Sequence, residues 1–388
     1  MNTDALNLKV FIIAGEQSGD KLGAAAMAGL KSLHNVDFRG VGGPLMAEQG
    51  LESLFPMDEL SLMGIMEILP KYFHLKRRIR ETAEAAIAWA PDVILTIDSP
   101  DFCLRVADIV KAQSDLRICH YVAPTVWAWR PERAAKMAAK VDQVLALFPF
   151  EPRYFEAKGL RCDFVGHPVS TEYVATDAEV AAFRAEFQIN KAPLVLVLPG
   201  SRKGEVARLS DDFGAALGLF AKTHPDARYV LPMAGPVEAL VREKIADWPV
   251  QPILIKSSDK YAKRAAFKAA DIALAASGTV SLELAANQTP MVIAYKMQWL
   301  TQKIVERKLL IDTVTLVNLV SETRVVPEYL AQKCQPKEIA KALSNVLQNP
   351  DAQTAALDLT MQRLGQGGDA PGLRAARAIL DGVRKAKP

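Results

Sequence analysis

Short apolar runs recur along the chain, and each stops at a cluster of small, charged or proline residues. In the first half these runs are Val10 to Ala14, Phe38 to Val41, Asp92 to Ile97, Ile118 to Val122 and Val141 to Leu147. In the second they are Leu194 to Leu198, Tyr229 to Met233, Ile253 to Ile255, Ile272 to Ala276 and Met291 to Tyr295. Longer stretches with helical spacing lie between them, such as Leu22 to Leu33, Leu104 to Gln113 and Lys260 to Lys268. Near-continuous apolar runs alternating with helices predict parallel strands buried on both faces, an α/β fold. The unit is plainest from Ala270 to Tyr295: a strand, a break at Ser277-Gly278-Thr279, a helix carrying Glu283, and a strand after Thr289-Pro290.

The two halves share this plan. VFIIAGEQSGD is similar to LVLVLPGSRKGEV, and DVILTIDSPD to DIALAASGTV. That fits two Rossmann-like domains with parallel sheets facing a central cleft. The predicted boundaries are residues 1–168 and 169–364, with the polar stretch from Ser170 to Thr176 between the halves. The helical tail is interrupted by GQGGDAPG, so residues 365–388 are expected to form a helix packing back on the first domain. Val314 to Leu319 reads as a strand that carries Asn318 to its end, and Val325 to Glu328 as the start of another turn.

Composition narrows the class. The chain has 388 residues, room for two domains at about 150 residues each. Half the residues are apolar, which excludes a disordered chain, and a formal charge of +3 gives no argument for nucleic acid. Cys103, Cys119, Cys162 and Cys334 lie far apart with no CxxC pair. That argues against a disulfide framework or zinc site and for a reducing, cytoplasmic setting. The first residues lack the basic start of a signal peptide, and no apolar run approaches the ~20 residues needed to span a bilayer. Membrane contact would therefore be peripheral.

Candidate chemistry lies in the loops. The Ser277–Thr279 turn offers backbone N–H groups to a phosphate, and Glu283 a carboxylate to sugar hydroxyls. Such turns also occur without ligands. The loop after Leu198 carries Gly200, Ser201, Arg202 and Lys203, suited to a diphosphate. The corresponding first loop carries Glu16, Ser18 and Asp20. Its acids would repel phosphate, so it faces an uncharged polyol or amine, or is a tight turn with solvated acids. Neither loop is a P-loop or a GxGxxG fingerprint. Asp98 ends the DVILTI run at a strand's C-terminal end, where α/β sheets bind ligands. It is a candidate general base if burial or a neighbouring acid lifts its pKa. Asp101 instead suits a helix cap. Trp127 and Trp129 share one side if the chain is extended there. With Arg130 they would form a wall for a sugar face or an acyl chain, or else pack under a loop. His120 is either a ligand contact or a hydrogen-bonded structural histidine.

Leu60 to Arg80 is the most unusual segment, with Met66, Ile68, Leu69 and Phe73 followed by Lys76, Arg77, Arg78 and Arg80. Pro70 predicts two short helices with a bend rather than one long helix. Apolar bulk beside a basic cluster suits a segment lying on anionic lipid. It equally describes a core helix with a solvated basic face.

The whole chain resembles the lipid A disaccharide synthase family, glycosyltransferase family 19, of GT-B type. The resemblance is carried by AGEQSGD (14–20), FRGVGGPLM (38–46), LSLMGIMEIL (60–69), IDSPDF (97–102), HYVAPTVWAWR (120–130) and FVGHP (164–168). It continues through LPGSRKGEV (198–206), ASGTVSLE (276–283), NLV (318–320) and VPE (326–328). It implies an inverting transfer of 2,3-diacylglucosamine from a UDP donor to 2,3-diacylglucosamine 1-phosphate. The products would be UDP and a β(1→6) disaccharide, the lipid A precursor. It further implies UDP in the second domain, with Arg202 on the diphosphate, Ser277, Gly278 and Thr279 as its cradle, and Glu283 on the ribose. Asn318, Glu328 and Gln332 would complete the donor side, and Asp98 would be the base, with no metal and no cofactor. Membrane contact through Met66, Ile68, Leu69, Phe73, Lys76, Arg77 and Arg78, at the cytoplasmic face of the inner membrane, follows from the acylated substrates. A homodimer is compatible with the sequence, which fixes no oligomeric state. The rival readings are a UDP-N-acetylglucosamine 2-epimerase on the same plan and a two-lobed ligand-binding protein without catalysis.

Overall fold

A computed structural model describes residues 7–60, 65–297 and 309–386, with the side chains of 65–72 outside the description. The chain forms two units, one of Met1–Ser170 with Gly367–Pro388 and one of Thr171–Gln366. In the first, the order is β1 (Leu8–Ala14), α1 (Gln17–Leu33), β2 (Val36–Val41), α2 (Pro44–Glu48), α3 (Ile65–Trp89), β3 (Val93–Ile97) and α4 (Pro100–Gln113). It continues with β4 (Ile118–Tyr121), α5 (Glu132–Ala138), β5 (Gln143–Ala146), α6 (Pro152–Glu156) and β6 (Arg161–Phe164). All pairs are parallel, in the order β2-β1-β3-β4-β5-β6.

The second unit runs α7 (Asp177–Glu186), β7 (Leu194–Leu198), α8 (Lys203–Thr223), β8 (Arg228–Pro232), α9 (Glu238–Ile245), β9 (Ile253–Ile255) and α10 (Lys260–Ala269). After these come β10 (Ile272–Ala276), α11 (Val280–Ala286), β11 (Met291–Tyr295), α12 (Leu316–Ser321), β12 (Glu328–Leu330), α13 (Pro336–Gln348) and α14 (Asp351–Arg363). Its parallel order is β12-β11-β10-β7-β8-β9. The central strands β1, β3, β7 and β10 are apolar and buried on both faces, because helices cover both sides.

Each order contains a switch point, where consecutive connections leave in opposite directions. In the first sheet it lies between β1 and β3, and in the second between β7 and β10. Ligands of open α/β sheets bind beyond the strand ends at such points.

Two expectations fail. The run from Val314 to Leu319, expected to be a strand, is helical over 316–321, and Asn318 sits mid-helix. Its apolar positions pack α12 on α14, a contact that β-propensity does not foresee. Pro70 does not divide the Ile65–Trp89 segment, which is one helix. A proline past the first turn costs the hydrogen bond it cannot donate and crowds the carbonyl four residues earlier, and the long helical run that follows outweighs that cost.

The chain returns to the first unit with α15 (Pro371–Ala386), which packs on α1. Small residues set that contact. A Cβ on Gly29 would stand 2.5 Å from the Gly372 carbonyl oxygen, and one on Gly372 2.4 Å from that of Ala25. Polar anchors flank it: Gln143 Nε2 donates to the Ala378 carbonyl at 2.9 Å, and Arg161 pairs with Asp381 at 2.6 Å. Gly372→Val should force the helices apart and lower the urea-unfolding free energy by about 2 kcal/mol. An unchanged midpoint and slope would show that the contact is not close-packed.

Candidate functional site

At the first switch point, β1 is followed by Gly15 and Glu16, and β3 by Asp98 and Ser99. Asp98 and Ser99 are consecutive non-glycine residues in the left-handed region, with φ of 49° and 42°. Two such residues in a row cost on the order of 1–2 kcal/mol each and persist where the surroundings over-determine them. Part of that constraint is Gly15, where a Cβ would lie 2.6 Å from Ser99 Oγ. The Asp98 N–H donates to the Tyr121 carbonyl at 2.9 Å, fixing the turn to β4. Burial raises the Asp98 pKa above the usual carboxylate range, partly offset by the Ser99 N–H. A carboxyl so placed can take a proton from a substrate hydroxyl.

Around it, the predicted residues separate into exposed and spent. Glu16 and Ser18 are exposed at the start of α1. Asp20 does not face a ligand: it is 3% exposed and accepts the N–H groups of Gly43, Leu45 and Met46 at 3.0 Å each. His120 is buried, with Nδ1 2.8 Å from Thr96 Oγ1, and burial lowers its pKa to about 4, so the ring is neutral near pH 7.

The two tryptophans do not share a face, because 126–128 form a turn rather than an extended run. Trp127 is buried, and its indole donates to Glu151 at 3.2 Å. Trp129 lies half-buried outside, beside the exposed Arg130. Glu151 also accepts the N–H groups of Leu147 and Phe148, at 3.1 and 3.0 Å. Its carboxylate thus ties the loops after β4 and β5 together, and nothing in the sequence pattern marked it.

The basic segment is only partly available. Arg78 is engaged by Glu59 at 2.7 Å and Glu81 at 2.8 Å and lies over the Phe55 ring, so it braces α3 rather than meeting headgroups. Phe73 is 82% exposed, and Lys76 and Arg77 are exposed. The side chains of Met66, Ile68 and Leu69 lie outside the described residues.

In the second unit, a cavity of about 440 Å³ opens at the β7/β10 switch point, a size that suits small ligands. Gly200, Ser201, Arg202, Ser277, Gly278, Thr279 and Glu283 all line it. Lys263, Phe267, Met233 and Glu205 join them. The Ser277–Thr279 N–H groups meet no acceptor among the described residues. A Cβ on Gly278 would meet nothing within 4 Å, so the turn faces open space. The amides of the other loop are not available to a diphosphate, because Ser201 and Arg202 donate theirs to Glu205 Oε2 at 3.1 and 3.3 Å. Gly200 permits this with φ of +125° and no Cβ to meet Glu205. The Arg202 side chain, 73% exposed, is what that loop offers. Lys263 reaches Glu283 at 3.4 Å. Lys263 and Phe267 lie on the basic helix visible in the sequence, but only the fold turns them into the cavity.

Three predicted donor residues line no part of it. The Asn318 side chain is consumed by Val326 and Thr313. Glu328 accepts from Thr313, Val314 and Thr315, folding its own loop, and Gln332 is exposed elsewhere. No group of three or more His, Cys, Asp or Glu among the described residues is placed to hold a metal ion.

Comparison with known proteins adds the family. The family described as lipid-A-disaccharide synthetase matches residues 10–370. The lipid-A-disaccharide synthase of Ruegeria pomeroyi is 61% identical over 381 residues, covering 96% of this chain and 95% of that protein. The Rhodospirillum centenum synthase is 46% identical over 386 residues, covering 97% and 95%. Among solved structures, UDP-GlcNAc 2-epimerase from Neisseria meningitidis bound to UDP-GlcNAc aligns with a TM-score of 0.64 at 13% identity, covering 97% and 100%. At that identity the likeness shows the fold alone, the α/β GT-B plan.

Glu151 makes a test of the site's scaffold. Burial pushes its carboxyl up to about 7 from 4.5, against three N–H donors that favour the ionised form. The folded state then holds a proton that the unfolded chain releases, so stability falls as pH rises from 4.5 to about 7. Wild type should lose on the order of 3 kcal/mol across that window, and Glu151→Gln should flatten the profile. Parallel urea-unfolding profiles would contradict this.

Proposed function

Since the chain belongs to the lipid-A-disaccharide synthetase family, and is a glycosyltransferase, we propose that it joins two acylated glucosamines. The donor is UDP-2,3-diacylglucosamine and the acceptor 2,3-diacylglucosamine 1-phosphate. The product is the β(1→6) disaccharide 1-phosphate, with inversion at the anomeric carbon. The observation that carries the reading is Asp98, a half-buried carboxyl of raised pKa on a strained turn at a sheet switch point. Its carboxylate takes the proton of the acceptor 6-hydroxyl as that oxygen attacks the donor anomeric carbon. The bond to UDP breaks in the same step, and the leaving charge passes to the diphosphate.

The second unit holds the donor. Arg202 and the free N–H groups of Ser277–Thr279 meet the diphosphate, which neutralises the developing charge without reorganisation. Glu283, steadied by Lys263, accepts the ribose hydroxyls. Glu16 and Ser18, beside the Asp98 turn, face the acceptor sugar. The epimerase alternative shares the fold but not the family match.

No helix among the described residues is long and apolar enough to cross a membrane. Both substrates carry acyl chains, so the protein works peripherally at the cytoplasmic face of the inner membrane. Met66, Ile68, Leu69 and Phe73 enter the lipid there, with Lys76 and Arg77 near the headgroups. Their replacement by Ser should release the protein from anionic vesicles with its melting temperature unchanged. Unaltered co-sedimentation would remove this part of the proposal.

The direct experiment is incubation with both substrates and detection of UDP and disaccharide. Asp98→Asn should lower kcat by about 10²–10⁴-fold while UDP affinity is kept. In the wild type kcat/KM should fall as pH drops through the raised Asp98 pKa, because the base must be ionised. An acid limb at the ordinary carboxylate pKa, or full turnover in the variant, would exclude Asp98 as the base.

A further inference from the structure

One cluster of the first unit is left unused by these assignments. The Arg130 guanidinium lies 4.2 Å from the Trp129 ring centroid and that of Arg133 5.6 Å from the same centroid. Neither has an ion-pair or hydrogen-bond acceptor for its side chain among the described residues, and the exposed Glu132 between them pairs with neither. Stacking on an indole accommodates one guanidinium without a counter-charge. Two on one ring repel each other unless an anion lies between or beside them.

The cluster is also held in place. Arg130 is fixed in the left-handed region at φ 56°, a conformation a non-glycine residue keeps only under constraint. Its carbonyl accepts the Arg133 N–H at 3.0 Å. The Trp129 indole donates to Thr125 Oγ1 at 3.3 Å, and two residues earlier Trp127 is anchored by Glu151. The loop leaves the C-terminal end of β4, which neighbours β3, the strand that leads into Asp98.

We propose that Trp129, Arg130 and Arg133 form a binding site for a sugar phosphate, the guanidiniums taking the phosphate and the indole the apolar face of the sugar. Guanidinium forks match phosphate oxygens, and an aromatic face suits the C–H side of a pyranose. Resting on the acceptor assignment above, the occupant is the acceptor, whose 1-phosphate distinguishes it from an unphosphorylated sugar. The same phosphate chemistry is present in an anionic lipid headgroup, and the tests separate the two sources.

The first test needs no turnover. Soluble glucosamine 1-phosphate is titrated against the full-length protein while tryptophan fluorescence is followed, with Trp129→Phe assigning the signal among the 5 tryptophans. Wild type should respond and saturate, whereas the Arg130→Ala/Arg133→Ala variant should not. The second test uses micellar substrates. The double variant should raise KM for the phosphorylated acceptor about 30-fold, as expected for lost charge-assisted hydrogen bonds. Its donor KM should change less than about twofold on the same reasoning, and Lys at both positions should recover part of the loss. If the Ala pair fails to fold by thermal melting, the Gln pair keeps the side-chain stems over the indole and carries the same tests.

Equal KM losses with an acceptor lacking its phosphate would overturn the proposal. So would an unchanged titration. A loss confined to binding of anionic vesicles would assign the cluster to headgroups and overturn it as well. Absence of disaccharide synthesis by wild type would instead sink the transferase reading, leaving the fluorescence titration to decide the phosphate site alone.

Discussion

A parallel sheet buried on both faces leaves the first and last amides of its strands without ladder partners, and buried amides must be paired. This chain meets part of that demand with carboxylates. At the start of strands, Asp92 accepts from Lys9, Asp142 from Ile118 and Asp271 from Leu194. In the loops that shape the sites, Asp20, Glu151, Glu205 and Glu328 each accept two or three backbone N–H groups. Such bonds to fixed backbone donors hold the loops in single conformations.

Set against these, Asp98 stands apart. The stapling acids give their oxygens to several fixed donors, whereas the half-buried carboxyl of Asp98 has one neighbouring N–H. A carboxyl whose oxygens are held by backbone N–H groups has little left to offer a substrate, whereas the Asp98 carboxyl, short of donors, keeps its affinity for a proton. The surroundings that keep Asp98 and Ser99 in the left-handed region also fix the carboxyl in that setting.

The same economy shapes the second unit's cavity. Glu205 consumes the amides of the loop after β7, so the cavity's open N–H groups come from the turn after β10. The positive charge comes from the Arg202 and Lys263 side chains. Moving Glu205 into a buried position requires Gly200, whose missing side chain is the space the carboxylate occupies.

By itself the sequence determined the alternation of buried strands and helices, the loops that bear chemistry, and the family, because these follow from local periodicity and from motifs in order. It also marked Asp98, Arg202, the Ser277–Thr279 turn and Glu283, since each lies just beyond an apolar run. Only the tertiary structure decided which polar residues were already spent. Asp20, Asn318, Glu328 and Arg78 looked like ligand contacts and proved to be bound to the protein's own groups. The spacing of Trp127 and Trp129 could not say which would be buried, because that depends on a turn and on Glu151, 24 residues away. Hydrogen-bond partners distant in sequence leave no periodic trace, so whether a side chain is free for function is a property of the fold.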